Sequence, residues 1–287
     1  MITIYIYSLF LLLPPSMAIM AANALLSLSI CFVSFTFLSI QTVVSSSTDS
    51  FVFGGCSQQK YTPNSPFESN LNSLFTSLVN SATYSTYNTY TIIGSSPQDV
   101  VYGLYQCRGD LSMLDCATCV ARAITKAGSY CPSACGGAVQ LQGCFVKYDN
   151  ATFLGVQDKN VVFKKCGPSV EYDKESEIVG RRDAVMNGLM NGGGSFREGG
   201  SGDIQGLAQC VGDLNADDCR DCLSEAIGRL KTECRAAAYG DLYLGKCYAR
   251  FSTFGAWDNL AKRHNSPFSL VFWLLMPLLS SSFSLLS

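Results

Sequence analysis

Five cysteines recur with the same four gaps at two places in the chain, and that repetition restricts the fold more than any other feature. From Cys107 to Cys144 the spacing is C-x8-C-x2-C-x11-C-x12-C, and from Cys210 to Cys247 it is the same, shifted by 103 residues. Residues between the cysteines agree as well. Gly109-Asp110-Leu111 corresponds to Gly212-Asp213-Leu214, and Ala123-Ile124 to Ala226-Ile227. Agreement at a fixed period marks a tandem duplication. The 287 residues therefore hold two domains of about 100 residues each, with a short connector expected around Gly167 to Ser176.

What the sulfurs do depends on the compartment, and the ends of the chain bear on that. No charged residue precedes Asp49, and the run from Ala21 to Val44 is apolar before the small polar stretch SSSTDS. This pattern predicts a secretory signal over residues 1–46, cleaved near Val44 to Ser47. The leader lacks a basic n-region and has an extra apolar piece upstream, so Met17 or Met20 makes a more ordinary start. An uncleaved anchor is the competing reading. At the other end, no charge follows His264. The apolar run from Phe268 to Leu279 is short of the about 20 residues that a membrane span needs. With the serine-rich remainder, the tail of residues 266–287 reads either as a span or as a GPI-attachment signal. Membrane association through this tail is the expectation.

Cys31 lies in the leader, and the other thirteen of the fourteen cysteines fall between Cys56 and Cys247. In an oxidising compartment they are expected to form disulfides. Three competitors fail, two of them against the repeat. Cys116, Cys119, Cys131 and Cys135 have finger-like zinc spacing, but the second copy has Ala238 where the first has Cys135, and the single histidine, His264, lies outside both domains. The Arg108-Gly109-Asp110 triplet suggests an adhesion ligand, yet Val211 stands at the matching place in the second copy. A thioredoxin-like Cys-x2-Cys would need a reducing compartment or an oxidoreductase fold.

Catalytic readings lack their residues. Without a histidine in either domain there is no Ser-His-Asp or Cys-His arrangement. Asp217 and Asp218 could be a glycosidase pair, but at the start of a predicted helix they suit the positive end of its dipole. The segment NGGGSFREGGSGD, from Asn191 to Asp203, lacks the ending of a phosphate loop and reads as a flexible loop. Asn150-Ala-Thr is a glycosylation sequon. A net charge of −2 without a basic block argues against nucleic acid as a partner. No enzyme, cofactor or metal is expected.

Periodicity places the elements. Ser65 predicts a helix N-cap, with Pro66 at the first turn and Glu68 completing a capping box; Leu71, Leu74, Phe75, Leu78 and Val79 share one face. A second helix is expected after Asp115, with its counterpart in DCRDCLSEAIGRLKTEC. Strands are expected in YTII, VVYGLYQC, AVQLQGCFVKYD and DLYLGKCYARF. Each domain is thus α+β, a small antiparallel sheet packed with two helices.

A duplicated C-x8-C-x2-C in a secreted chain resembles the plant DUF26, or ginkbilobin-2-homologous, domain. The resemblance runs from about Ser50 to Phe254 and includes FVFGGCSQQKYTPNSPFESNLNSLF, GAVQLQGCFVKYDN and AQCVGDLNADDCRDCLSEAIGRLKTEC. It implies domains at 50–155 and 160–256. Two copies followed by a membrane segment without a kinase look like the plasmodesmata-located proteins. The resemblance implies the bridges Cys56–Cys131, Cys107–Cys116 and Cys119–Cys144, then Cys166–Cys234, Cys210–Cys219 and Cys222–Cys247, leaving Cys135 unpaired. A bridge from Cys135 to Cys166, stranding Cys234, is the alternative. The family's mannose-binding member uses an Asn, an Arg and a Glu. Here those positions are Ser57, Ala138 and Asp149 in the first copy, and Gly167, Asp241 and Ser252 in the second, so mannose binding by that set is not expected. The implied role is a non-enzymatic extracellular module at the plasmodesmal plasma membrane. It would regulate cell-to-cell movement in connection with callose and defence signalling, through an extracellular protein or a cell-wall glycan, or by self- or hetero-association. The alternative is a secreted, lectin-like antifungal protein of the apoplast.

Overall fold

The computed structural model describes residues 47–170 and 175–253. The expected leader and C-terminal tail lie outside this span.

The first helix, α1 (Pro66–Ser81), starts where its side chains satisfy the open amides of the first turn. The Ser65 side chain accepts the Glu68 N–H, while the Glu68 carboxylate accepts the N–H of Asn64 at 2.6 Å. The box thus closes one residue earlier than a reciprocal box with Ser65. Phe67, Leu71, Leu74 and Leu78 are buried along one side. Helix α2 (Met113–Tyr130) begins earlier than expected, because Ser112 is the cap. Its side chain accepts the Asp115 N–H at 3.1 Å and its hydroxyl donates to the Asp115 carboxylate at 2.7 Å. Asp115 is therefore inside the first turn, where its charge favours the helix dipole. In the second lobe, α3 (Glu175–Asn191) and α4 (Ala216–Glu233) take the corresponding places, with Asn215 capping α4.

Ten strands form two sheets with one topology. Strands β1 (Phe51–Cys56), β2 (Tyr87–Ile92), β3 (Val101–Cys107), β4 (Gly137–Leu141) and β5 (Cys144–Asp149) are ordered β1-β4-β5-β3-β2. Strands β6 (Val161–Cys166), β7 (Phe196–Ser201), β8 (Ile204–Cys210), β9 (Tyr239–Leu244) and β10 (Cys247–Thr253) are ordered β6-β9-β10-β8-β7. All pairings are antiparallel. On one face of each sheet sits an apolar core that includes the cysteines of α2 or α4. Each lobe is an α+β sandwich of one sheet and two helices.

Two segments differ from expectation. Residues 167–170 belong to the second lobe: the Gly167 N–H donates to Tyr239 O at 2.8 Å and the Val170 N–H to Ala236 O at 2.7 Å. The chain crosses between lobes earlier, between the end of β5 at Asp149 and the start of β6 at Val161. The glycine-rich stretch is also no free loop, since Phe196 to Ser201 pairs along β8. Its turn passes through Gly202 at φ +59°, a conformation that favours glycine. Arg197 anchors this hairpin. It donates to Leu189 O and Met190 O at 2.8 and 2.9 Å and to Gly194 O at 3.0 Å, satisfying carbonyls at the end of α3.

Candidate functional site

One helix in each lobe carries the sulfur framework. Cys116 and Cys119 of α2 bridge to Cys107 on β3 and Cys144 on β5, and Cys131 at its C-cap bridges to Cys56 on β1. In the second lobe Cys219, Cys222 and Cys234 bridge to Cys210, Cys247 and Cys166 in the same pattern. Cys135 is free and buried. Burial pushes its thiol pKa up, the Asp149 carboxylate adds to this and Lys60 opposes it. A thiol held protonated is a poor nucleophile.

The residues singled out for chemistry are engaged in structure. Arg108 and Asp110 bind one another through two contacts at 2.6 and 3.0 Å, so the adhesion triplet is folded on itself. Asp217 pairs with Arg220 at 3.0 Å, while Asp218 receives both the amide side chain of Asn215 and the side chain of Gln157. No group of three or more His, Cys, Asp or Glu side chains suits a metal among the described residues, and none of the described helices is long and apolar enough to cross a membrane. Asn150 sits half-buried, directly after β5.

The positions matching the mannose set are brought together only partly. A Cβ built on Gly136 would meet Asp149 Oδ2 at 2.5 Å and Ser57 Cβ at 3.3 Å, so those two side chains converge there. Ala138 supplies no cation. In the second lobe the Asp241 carboxylate accepts from Arg250 at 2.6 Å, both side chains being buried. Burial opposes the charge on Arg250, but Tyr243 and Asp241 outweigh it and raise the guanidinium pKa. Gly167 lies beneath the Tyr239 ring, with no room for a side chain.

The feature that unites the molecule is the junction between lobes, and it is built from equivalent residues. Gln106 and Gln209 each precede the first cysteine of their repeat. Gln106 Oε1 accepts the N–H of Gly212 at 2.9 Å, and Gln209 Nε2 donates to Cys107 O at 3.0 Å. The Phe196 ring covers Gly109 and the Tyr87 ring covers Gly212. A Cβ at either glycine would fall 2.4 or 2.7 Å from the ring's Cγ. Tyr87 pairs with Gln106 across the strands as Phe196 pairs with Gln209, so the two contacts are counterparts. Close backbone approach is what glycine permits here.

Apolar contact reinforces the exchange. Leu104, Phe145 and Val211 form a buried cluster with Phe53 and Leu154 against it. The Phe53 ring stacks on Phe163 at 6.1 Å and meets Tyr243 edge-on at 5.5 Å. Arg250 also donates to the side-chain oxygen of Gln142 across the junction. A void of about 30 Å³ remains among Gln106, Gln140, Gln209, Tyr243 and Tyr248, room for a water or two and not for a ligand. Burial raises the Tyr243 phenol to about 12, and burial with Asp213 raises Tyr87 to about 12.

The crossing segment is pinned by a buried charge. Lys246, 1% exposed, donates to the Asp213 carboxylate and to Phe153 O at 3.0 Å, and Asp213 also accepts the Gly155 N–H at 2.9 Å. Burial lowers the Lys246 pKa and Asp213 opposes that shift. Sequence patterns alone do not single out Gln106, Gln209, Phe153 or Lys246. For the glutamines a signal exists, since each stands directly before the first cysteine of its repeat.

A model of the salt stress response/antifungal family (Stress-antifung) matches residues 55–151 and 165–254. The chain is 64% identical over 220 residues to plasmodesmata-located protein 7 of Arabidopsis thaliana, covering 77% of this chain and 73% of that protein. It is 59% identical over 218 residues to plasmodesmata-located protein 6 of the same plant, covering 75% of each. Its fold is similar to the crystal structure of the tandem DUF26 ectodomain from the Arabidopsis thaliana cysteine-rich receptor-like protein PDLP5. There the TM-score is 0.69 at 44% identity, over 71% of this chain and 100% of that one. With one matched copy on each of two stapled lobes, the chain belongs to the salt stress response/antifungal family as a tandem DUF26 protein.

Proposed function

We propose that the chain is an extracellular, non-enzymatic binding module held at the plasmodesmal plasma membrane, where it restricts movement between cells and promotes callose deposition and defence signalling. The observation that carries this reading is the match across the folded span to relatives named for plasmodesmata. It is supported by polar side chains engaged in joining two lobes rather than in forming a reactive centre. The C-terminal tail supplies the membrane attachment in this account, and the lobes face the apoplast.

The family's description favours one competing reading, a released, lectin-like antifungal protein. A fluorescent protein inserted directly after the leader separates the two, because an internal tag survives loss of the tail. Paired puncta across walls, coincident with callose stain and with slower spread of a free fluorescent reporter, are the expected result. Diffuse apoplastic signal with unchanged spread would replace this reading with the released one.

A further inference from the structure

The segment that crosses between lobes roofs a polar cleft of about 280 Å³, near the lower end of small-ligand sites. Its lining includes Lys147 of β5, Lys246, Gln157, Asp158, Lys159 and Asn160. Lys147 and Lys246 both reach the Phe153 ring. Lys147 Nζ lies 4.7 Å and Lys246 Nζ 5.2 Å from its centroid. Two ammonium groups are thus gathered on one aromatic ring, and only one has a carboxylate. Lys246 holds Asp213, while Lys147 makes no salt bridge among the described residues. Lys159 reaches Asp221 only at 3.7 Å, between exposed groups, which is a weak pairing. The lining also holds one acidic side chain, Asp158, whose carboxylate is engaged by Asn160, accepting from its side-chain amide at 2.9 Å. Asp158 also accepts the Asn160 N–H at 3.1 Å and lies against Gly245.

An excess of positive charge beside an aromatic ring and side-chain amides defines a ligand class. The Lys147 and Lys159 ammonium groups suit an anion, the ring suits an apolar C–H face, and the side-chain oxygens of Asn160 and Gln157, whose amide nitrogens donate to Asp158 and Asp218, suit hydroxyl donors. A carboxylated sugar presents all three within one residue.

We propose that the cleft formed by Lys147, Phe153, Lys159 and Lys246 binds an acidic saccharide, one or two uronate residues of an extracellular polysaccharide. The site is separate from the positions around Ser57 and Asp241. It deepens the extracellular reading above by naming a ligand class, and it holds whether the chain is anchored or released. A failure of binding in solution is therefore distinct from a failure of localisation.

The test uses the full chain, secreted by plant cells and purified, with Asn150→Gln so that no attached glycan shadows the cleft. Calorimetric titration compares a short galacturonate oligomer, its methyl-esterified form and inorganic phosphate. Binding of the free-acid oligomer alone is expected, and it should weaken with salt. Lys147→Gln with Lys159→Gln should reduce the affinity about tenfold, through the loss of two weak charge contacts, while the melting temperature stays unchanged. Lys246 is left intact because the fold needs it. No binding of the free acid, equal binding of the ester or of phosphate, or full affinity in the double variant would overturn the proposal.

Discussion

The side-chain oxygen of Gln106 accepts the backbone N–H of Gly212 at 2.9 Å, joining the first lobe to the second. The counterpart of Gln106, Gln209, donates back to Cys107 O. Each repeat therefore presents the same glutamine to the other, and duplication has produced an interface of near-twofold character within one chain. Gln106 and Gln209 are 8% and 3% exposed in the joined lobes, where a buried amide without a partner is costly, so each needs the bond that the other copy supplies.

Gly109→Val tests the junction directly. Its Cβ would lie 2.4 Å from the Phe196 ring, so the lobes must part or strain. Overpacking of this kind costs about 1–3 kcal/mol. Scanning calorimetry should resolve two transitions in the variant and one in the parent. A single unshifted transition would show that the lobes do not depend on this contact.

Bridges that close different loops should differ in worth. Cys166–Cys234 spans 68 residues and Cys210–Cys219 spans 9. Loop entropy makes the first worth roughly 2 kcal/mol more than the second. Replacing each pair by alanine and comparing denaturant midpoints should show that order. The reverse order would mean that native-state strain, not chain entropy, sets their contributions.

The pair formed by Lys246 and Asp213 is 1% and 5% exposed. Removing one partner leaves a buried charge, so Lys246→Met should destabilise by about 3–5 kcal/mol. Lys246→Met with Asp213→Leu should cost clearly less than Lys246→Met alone. Equal losses would mean that Asp213 is solvated once Lys246 is gone.

Alkali should loosen the junction. Tyr243 and Tyr87 are raised from 10.0 to about 12 in the folded chain. Their neutral forms contribute stability that is fully present below pH 10 and is lost as pH rises towards 12, because the unfolded chain ionises first. Denaturant midpoints should fall across that window, and Tyr243→Phe should flatten the decline. Ionisation of every tyrosine near 10 with the fold intact would contradict the burial argument.

The legibility of the fold in the amino-acid sequence varies by element, for physical reasons. Cysteine spacing points to α2, α4 and the strands beside them, because a repeated covalent constraint needs no tertiary knowledge. Strands β1 and β6 are edge strands without clean alternation, and β7 is FREGGS, whose glycines have low strand propensity. That hairpin exists because β8 pairs with it and Arg197 ties it to α3, both of which are tertiary effects. Composition misplaces the connector because Gly167-Pro168-Ser169 looks like a linker, while the hydrogen bonds of this segment to Ala236 and Tyr239 leave no mark on composition. The junction escapes sequence patterns because glutamines read by default as surface residues. Only the pairing of two copies buries them.

The claim on which the account depends most is covalent: two lobes, each closed by three bridges radiating from one helix. Non-reducing peptide mapping of the mature protein, after alkylation under denaturing conditions, tests it most directly. The account predicts six intramolecular bridges in the pattern of Cys56–Cys131, Cys107–Cys116 and Cys119–Cys144 and its repeat, with Cys135 as the one alkylated thiol. Alkylation of most cysteines, or a bridge linking Cys135 to Cys166, would contradict it.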